Sequence, residues 1–405
     1  SQFGPDKRWG YFPSGAVAWI ITEENFMKDY SNIVSYLKLR GSVGKTGSQN
    51  LGAYDWRTLM GSATYNGAAG IVPSSLGNDI LQWEEQIQKE VGLDYGFWDD
   101  RIRGTLGYYQ KKVDNLLYSD PVPTSSSFSS VYQNIGSLKN RGIEFDVRVD
   151  IIKNVQKDLT WNVDFNIARN RTTLEKLNSS DGYFGGGAYD YFKIEEGGET
   201  GRFYGYKDAG RLFMTNEELV GLKTIDPKTG TLKYYRDDYN YERQGDVYIM
   251  DLDGDGQITA DGDRTVIGNA NPDFFGGFGS TLYWKGLMLN AVFSYSVGGD
   301  RFWDEEKNSS GDMNVYNTSN RILDSWTVNP GVNASYPRAM YYGWGSNSII
   351  TDRYIHDASY LRMTALNLSY RLPKHLYKNS ILNAVEFTFQ ATNLFTWTKY
   401  PGMDP

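Results

Sequence analysis

The chain has 405 residues, no cysteine, two histidines and a formal net charge of −8. These values exclude a disulfide framework and thiolate metal sites. They offer nucleic acid no basic block to bind, and they leave zinc centres and His-based triads little to work with.

Residues 15–21 alternate weakly and predict a strand, followed by a short polar turn of helix near 23–30. Over 36–45, Leu37, Leu39 and Val43 face one way while Lys38, Arg40 and Ser42 face the other. A Gly/Ser/Asn-rich loop then runs to about residue 79. Residues 83–97 predict a long strand with Ile87, Val91, Leu93, Tyr95 and Phe97 on one face, and residues 98–100 form a tight turn. The return strand, 101–111, carries Ile102, Leu106 and Tyr108 on one side and Arg101, Arg103, Thr105 and Lys111 on the other.

The clearest pattern spans 142–170. Ile143, Phe145, Val147, Val149 and Ile151 alternate with Glu144, Asp146, Arg148 and Asp150. After a turn over 153–158, Leu159, Trp161, Val163, Phe165 and Ile167 alternate with Thr160, Asn162, Asp164 and Asn166. A period of two puts each set on one face of an antiparallel hairpin. Beyond a long excursion over 170–273, strands at 274–284 and 287–297 meet over Lys285-Gly286. Strands at 360–372 and 384–394 complete a series of about eleven, each long enough at ~10 residues to cross an outer membrane.

Every hairpin therefore has one apolar wall and one polar wall. A soluble sandwich turns the apolar wall inward; a transmembrane barrel turns it toward lipid and keeps the polar wall for the lumen. Short turns collect at one end of the strands and long loops at the other, as in outer-membrane barrels. The fold predicted is all-β, an antiparallel transmembrane β-barrel, with Ile143, Phe145, Val147, Val149, Leu159, Trp161, Val163, Phe165 and Ile167 outside. The chain has no apolar run of ~18 residues, which bears on transmembrane helices and not on strands. Its opening residues, Ser1-Gln2-Phe3-Gly4, read as the interior of a longer protein.

An ordered set of short motifs resembles the SusC/RagA-type TonB-dependent transporters of Bacteroidetes outer membranes. They are Trp9-Gly10-Tyr11-Phe12-Pro13-Ser14, Leu37-Lys38-Leu39-Arg40-Gly41-Ser42, Trp83-Glu84, Asn134-Ile135-Gly136 and Asn140-Arg141-Gly142-Ile143-Glu144. Phe203-Tyr204-Gly205-Tyr206, Asp251-Leu252-Asp253-Gly254-Asp255-Gly256, Arg264-Thr265-Val266-Ile267-Gly268, Tyr360-Leu361-Arg362, Asn393-Leu394-Phe395-Thr396 and Tyr400 follow in the family's order. The resemblance implies the C-terminal part of a barrel of about 22 strands, with the plug domain and N-terminal strands elsewhere. It also implies a SusD-like surface lipoprotein as partner and import of oligosaccharides, or alternatively oligopeptides, driven through the TonB complex. Outer-membrane lipid would surround it. The chain is expected to be no enzyme; a secreted β-rich glycan-binding or glycan-hydrolysing protein is the competing class.

Within 246–268, expected to be an extracellular insertion, Asp251, Asp253 and Asp255 followed by Gly256 and Ile258 match a calcium loop of EF-hand type. Gln257 would add its backbone carbonyl. The twelfth position, normally an acid, is Gly262, and in related sequences an acid before Arg closes the loop, which nominates Asp263 before Arg264. Calcium would staple the loop. Tyr189, Tyr191, Trp303, Tyr342 and Trp344 stand in polar loop sequence and are candidates for stacking on substrate. Arg40, Glu90, Arg101, Arg103, Glu144, Asp146 and Arg148 are expected to line the lumen.

Overall fold

The computed structural model describes residues 2–154, 156–177, 183–185, 191–215, 218, 224–225, 232–233, 244–256, 258–310, 318–331, 334–339, 347, 349–378 and 381–405. One antiparallel sheet of ten strands dominates it. In chain order these are β1 (Ser14–Ile20), β2 (Val34–Ser48), β3 (Glu84–Phe97), β4 (Ile102–Asp114) and β5 (Ser137–Asn154). Then come β6 (Leu159–Lys176), β7 (Phe274–Trp284), β8 (Leu287–Val297), β9 (Tyr360–Arg371) and β10 (Glu386–Thr398). Neighbours in sequence are neighbours in the sheet throughout, an up-and-down meander. Among the described residues ten strands form the wall, in keeping with the expected count of about eleven.

The register carries the apolar pattern unbroken across strands. Leu106 of β4 pairs with Phe145 of β5, Phe145 with Ile167 of β6, and Phe165 with Phe278 of β7. Phe278 pairs with Phe293 of β8, with stacked rings 4.7 Å apart, and Leu289 runs through Leu368 to Phe389. None of the side chains expected outside is buried. Among the described residues, Leu174 is the one buried apolar side chain that comes from the ten strands. The sheet thus encloses no apolar core of its own, and its apolar wall is open to the surroundings. Polar tips on that wall are paired within it: Trp161 Nε1 donates to Ser280 Oγ at 3.0 Å.

The opposite wall is polar and internally bonded. Arg40 pairs with Glu90 and, at 3.3 Å, with Asp94. Asn367 Nδ2 donates to Asn290 Oδ1 and Asn290 Nδ2 to Thr281 Oγ1, at 3.0 and 2.9 Å. Ile151 is a bulge, since Trp161 pairs with Ile152 and Asn162 with Asp150. The sequence hides it, because apolar residues at 149, 151 and 152 sustain either alternation.

The real cores lie in the long connections. The segments between β6 and β7 and between β8 and β9 fold together. Tyr206, Leu212, Phe213, Val247, Ile249 and Ile258 form one buried cluster, with Trp326 and Ile349 packed on it. Polar cross-links join the two segments. Tyr206 N donates to Ile350 O at 2.9 Å, Arg338 to the buried Asp246 at 3.0 Å, and Asn347 to the same carboxylate at 2.8 Å. No helix among the described residues is long and apolar enough to cross a membrane.

Candidate functional site

Two places at the long-connection end collect chemistry. The first is a cleft of about 480 Å³ on the polar-wall side. Its base is the cross-strand pair Ser296 and Tyr360 at the ends of β8 and β9, in the same face as Arg362, Asn367 and Asn290. Short strands at Phe192–Ile194 and Asp300–Phe302 supply the walls. Aromatic rings (Tyr191, Phe302, Tyr360) and polar groups (Asp300, Arg301, Asp304) face the same space.

Of the aromatic candidates, Tyr191 is in this cleft. Its ring packs 4.9 Å from Phe192 and 5.3 Å from Phe302, so part of its surface is already committed. Trp303 does not line it. That ring packs against His356 and Tyr400, with the Arg321 guanidinium 4.4 Å from its centre. The neighbouring Glu306 is buried and holds Arg321 at 3.1 Å, the Tyr336 hydroxyl at 3.1 Å and His356 Nε2 at 2.5 Å. Tyr189, Tyr342 and Trp344 lie outside the described residues. Sequence reading missed Phe302, Tyr360, Asp300 and Arg301. The short alternation around residue 300 is indistinguishable from loop, and Tyr360 reads as an ordinary strand residue.

The second place is the acidic loop between the strands Val247–Ile249 and Arg264–Asn269. Ile258, at the apolar position of the motif, is buried in the loop core and anchors this segment. Asp251, Asp253 and Asp263 bring carboxylate oxygens within 4.8 Å of one another. Asp263 is buried and accepts from Leu252 N and Thr259 N, both at 2.7 Å. Asp251 accepts from Gly254 N and Gly256 N at 2.7 and 2.8 Å. Both glycines have positive φ, 76° and 80°, which a residue with a Cβ would adopt only under strain. Asp255 is not part of the converging set, and Gln257 lies outside the described residues.

The backbone N–H of Asp255 lowers the Asp253 pKa. Desolvation, the charges of Asp255 and Asp263 and a hydrogen bond with Asp251 outweigh it, and the net shift is upward. Carboxylates crowded until their mutual repulsion registers suit a hard divalent cation, whose oxygen ligands sit at ~2.3–2.6 Å. Elsewhere in the long connections, burial pushes the Asp208 carboxyl up against the opposing pull of Arg353, 2.6 Å away.

An open sheet with an apolar outer wall, a bonded polar inner wall and a folded cap of long connections defines a section of an outer-membrane-type barrel. The family comparison agrees: the model for "TonB dependent receptor-like, beta-barrel" matches residues 1–394, and the chain belongs to that family. It is 32% identical over 429 residues to a TonB-dependent receptor of Formosa agariphila and 31% identical over 421 residues to the TonB-dependent receptor SusC of Bacteroides thetaiotaomicron. These alignments cover 100% of this chain and 40% and 38% of the relatives. Among solved structures, the RagAB peptide transporter superposes with a TM-score of 0.77 at 27% identity, covering 100% of this chain and 42% of that one.

Proposed function

We propose that this chain is part of the wall and external cap of a TonB-dependent outer-membrane importer of oligosaccharides, working with a SusD-like surface lipoprotein. The observation that carries the reading is the cleft at the cap end of the polar wall. Rings at Tyr191, Phe302 and Tyr360 offer flat apolar faces, and Asp300, Arg301 and Asp304 offer hydrogen-bonding groups beside them. A pyranose presents an apolar face and a rim of hydroxyls, so a site built of rings and fixed polar groups suits it. The ten strands leave β1 and β10 each paired on one side. Unpaired backbone in hydrocarbon is costly, so a closed wall takes further strands. Energy would come from TonB through parts of the protein beyond this wall.

Oligopeptides are the second reading. It rests on the structural likeness to transporters described as peptide importers and on Arg301 and Asp300, which could meet peptide termini. The acidic loop would hold calcium through Asp251, Asp253 and Asp263, a structural role that locks the short strands of the cap. The test is binding by the full-length protein, in detergent with its lipoprotein, to oligosaccharide and oligopeptide arrays. Phe302→Ala should weaken oligosaccharide binding about tenfold, a loss of about 1.4 kcal/mol. Peptide-only binding with the same sensitivity would replace the first reading by the second.

A further inference from the structure

The apolar wall carries a groove of about 760 Å³ across β1 to β4. Register explains it. Val17, Gly41, Val91 and Tyr108 form one row across the four strands. Gly41, flanked by Val17 and Val91, leaves a trough where the neighbouring strands carry side chains. Val43 closes one side of it. Val17, Val43, Val91 and Tyr108 are all exposed, so none of the described residues fills the space.

The next row toward the long connections runs Val43, Lys89, Gln110, Arg141. Lys89 lines the groove, and Arg141 stands two strands away, roughly 10 Å at a strand spacing of 4.7–4.9 Å. Both are exposed, and neither has a carboxylate partner among the described residues. Farther from the apolar band, the cations of the same wall are answered. Lys45 meets Glu85 at 2.6 Å, Lys112 meets Asp114 at 3.0 Å, and Lys139 meets Glu175 at 3.3 Å. The uncompensated pair therefore lies at the boundary where apolar wall gives way to polar wall, directly above a trough.

We infer that this groove is a binding site for a phosphorylated acyl lipid of the outer leaflet. An acyl chain lies over Gly41 between Val17 and Val91, and the headgroup phosphate sits on Lys89 and Arg141. Lys and Arg at such a boundary keep their stems on the apolar surface and their charges at headgroup level. A phosphate offers them the anion that the described residues do not, and a guanidinium can bind it through two N–H donors. The site presupposes the outer-membrane reading and goes beyond it, since nothing in transport requires it.

Two variants separate the parts. Lys89→Glu with Arg141→Glu reverses the charge. Gly41→Leu fills the trough, and a Cβ there meets nothing closer than Glu90 O at 3.8 Å and Val17 Cγ2 at 4.0 Å, so the strand accepts it. The full-length protein is reconstituted in phosphatidylcholine nanodiscs doped with lipid A bearing its phosphate, or with the dephosphorylated lipid. Retained lipid is read by native mass spectrometry. The expected result is at least tenfold enrichment of the phosphorylated lipid, lost in the charge variant and reduced in Gly41→Leu, with all three proteins keeping the heat-modifiable mobility of a folded barrel. Equal retention by wild type and both variants, equal retention of the dephosphorylated lipid, or displacement by inorganic phosphate alone would overturn the site. A protein that stays soluble and never enters nanodiscs would instead overturn the membrane reading beneath it.

Discussion

Arg103 of β4 and Arg148 of β5 are direct cross-strand partners on the polar wall, a like-charge pair that by itself separates strands. Asp150 answers both: its carboxylate lies 3.3 Å from Arg103 and 4.0 Å from Arg148. Asp150→Asn should therefore cost about 1 kcal/mol in this partly exposed setting, and Arg148→Met in the same background should recover most of it. A double-mutant cycle by thermal unfolding checks this, and additive effects would contradict the triad. In the acidic loop, Asp253 is exposed while Asp263 is buried. Replacing Asp253 by Ala should abolish any rise in unfolding temperature given by added calcium and leave the barrel folded; a calcium response that persists in Asp253→Ala places the cation elsewhere.

Among elements, one device recurs. Tyr95 of β3 faces Gly104 of β4, stacks 6.4 Å from Phe145 and donates to Asp146 O at 3.0 Å. Tyr295 of β8 faces Gly276 of β7, stacks 6.2 Å from Phe165 and donates to Asn166 O at 2.8 Å. In each, a tyrosine covers a glycine and hands its hydroxyl to a backbone carbonyl, so the lipid-facing wall keeps a ring without a bare polar tip. A methyl group on Gly276 would run into Asn166 O, whereas one on Gly107 meets nothing within 4 Å. Gly276→Ala should cost about 1–3 kcal/mol by overpacking and Gly107→Ala close to nothing, read as the temperature of the heat-modifiability transition; equal effects would refute the fit. In the cap, burial pushes the Glu195 carboxyl up, but hydrogen bonds and charge from Lys193 and Arg202 outweigh it and hold it below the ordinary range. Its contribution is present above the unfolded glutamate pKa and is lost as pH falls through the depressed value. Protection of Phe192–Ile194 against hydrogen exchange, taken relative to the intrinsic amide rate at each pH, should fall over that acid window in wild type and much less in Glu195→Gln. The strands were legible from sequence because a period of two survives over ten or more residues, and β7 and β8 match the expected bounds residue for residue. The cap was not legible. Its strands, such as Val247–Ile249, are too short for periodicity, and its core joins Phe213 to residues more than a hundred positions away. The cleft inherits that difficulty, since Tyr191 and Tyr360 meet only through the cap's fold.

At the scale of the whole molecule, ten strands with an open apolar face cannot stand alone in water, and the chain spans about 40% of the relatives it matches. The polar wall bonds to itself through Arg40, Asp150 and Asn290, so it tolerates a wet lumen. The two long connections are fastened to each other through Asp246 and Asp208 and act as one cap above the cleft. Under the proposed function such a cap and cleft would serve capture, and the work of passage would come through TonB. The decisive measurement is uptake of labelled oligosaccharides and oligopeptides by cells carrying the full-length protein and its lipoprotein, with TonB present or deleted. The account predicts oligosaccharide uptake that disappears without TonB and falls when Phe302 and Tyr360 are replaced by Ala. Uptake that is indifferent to TonB, or that is confined to peptides, would contradict it.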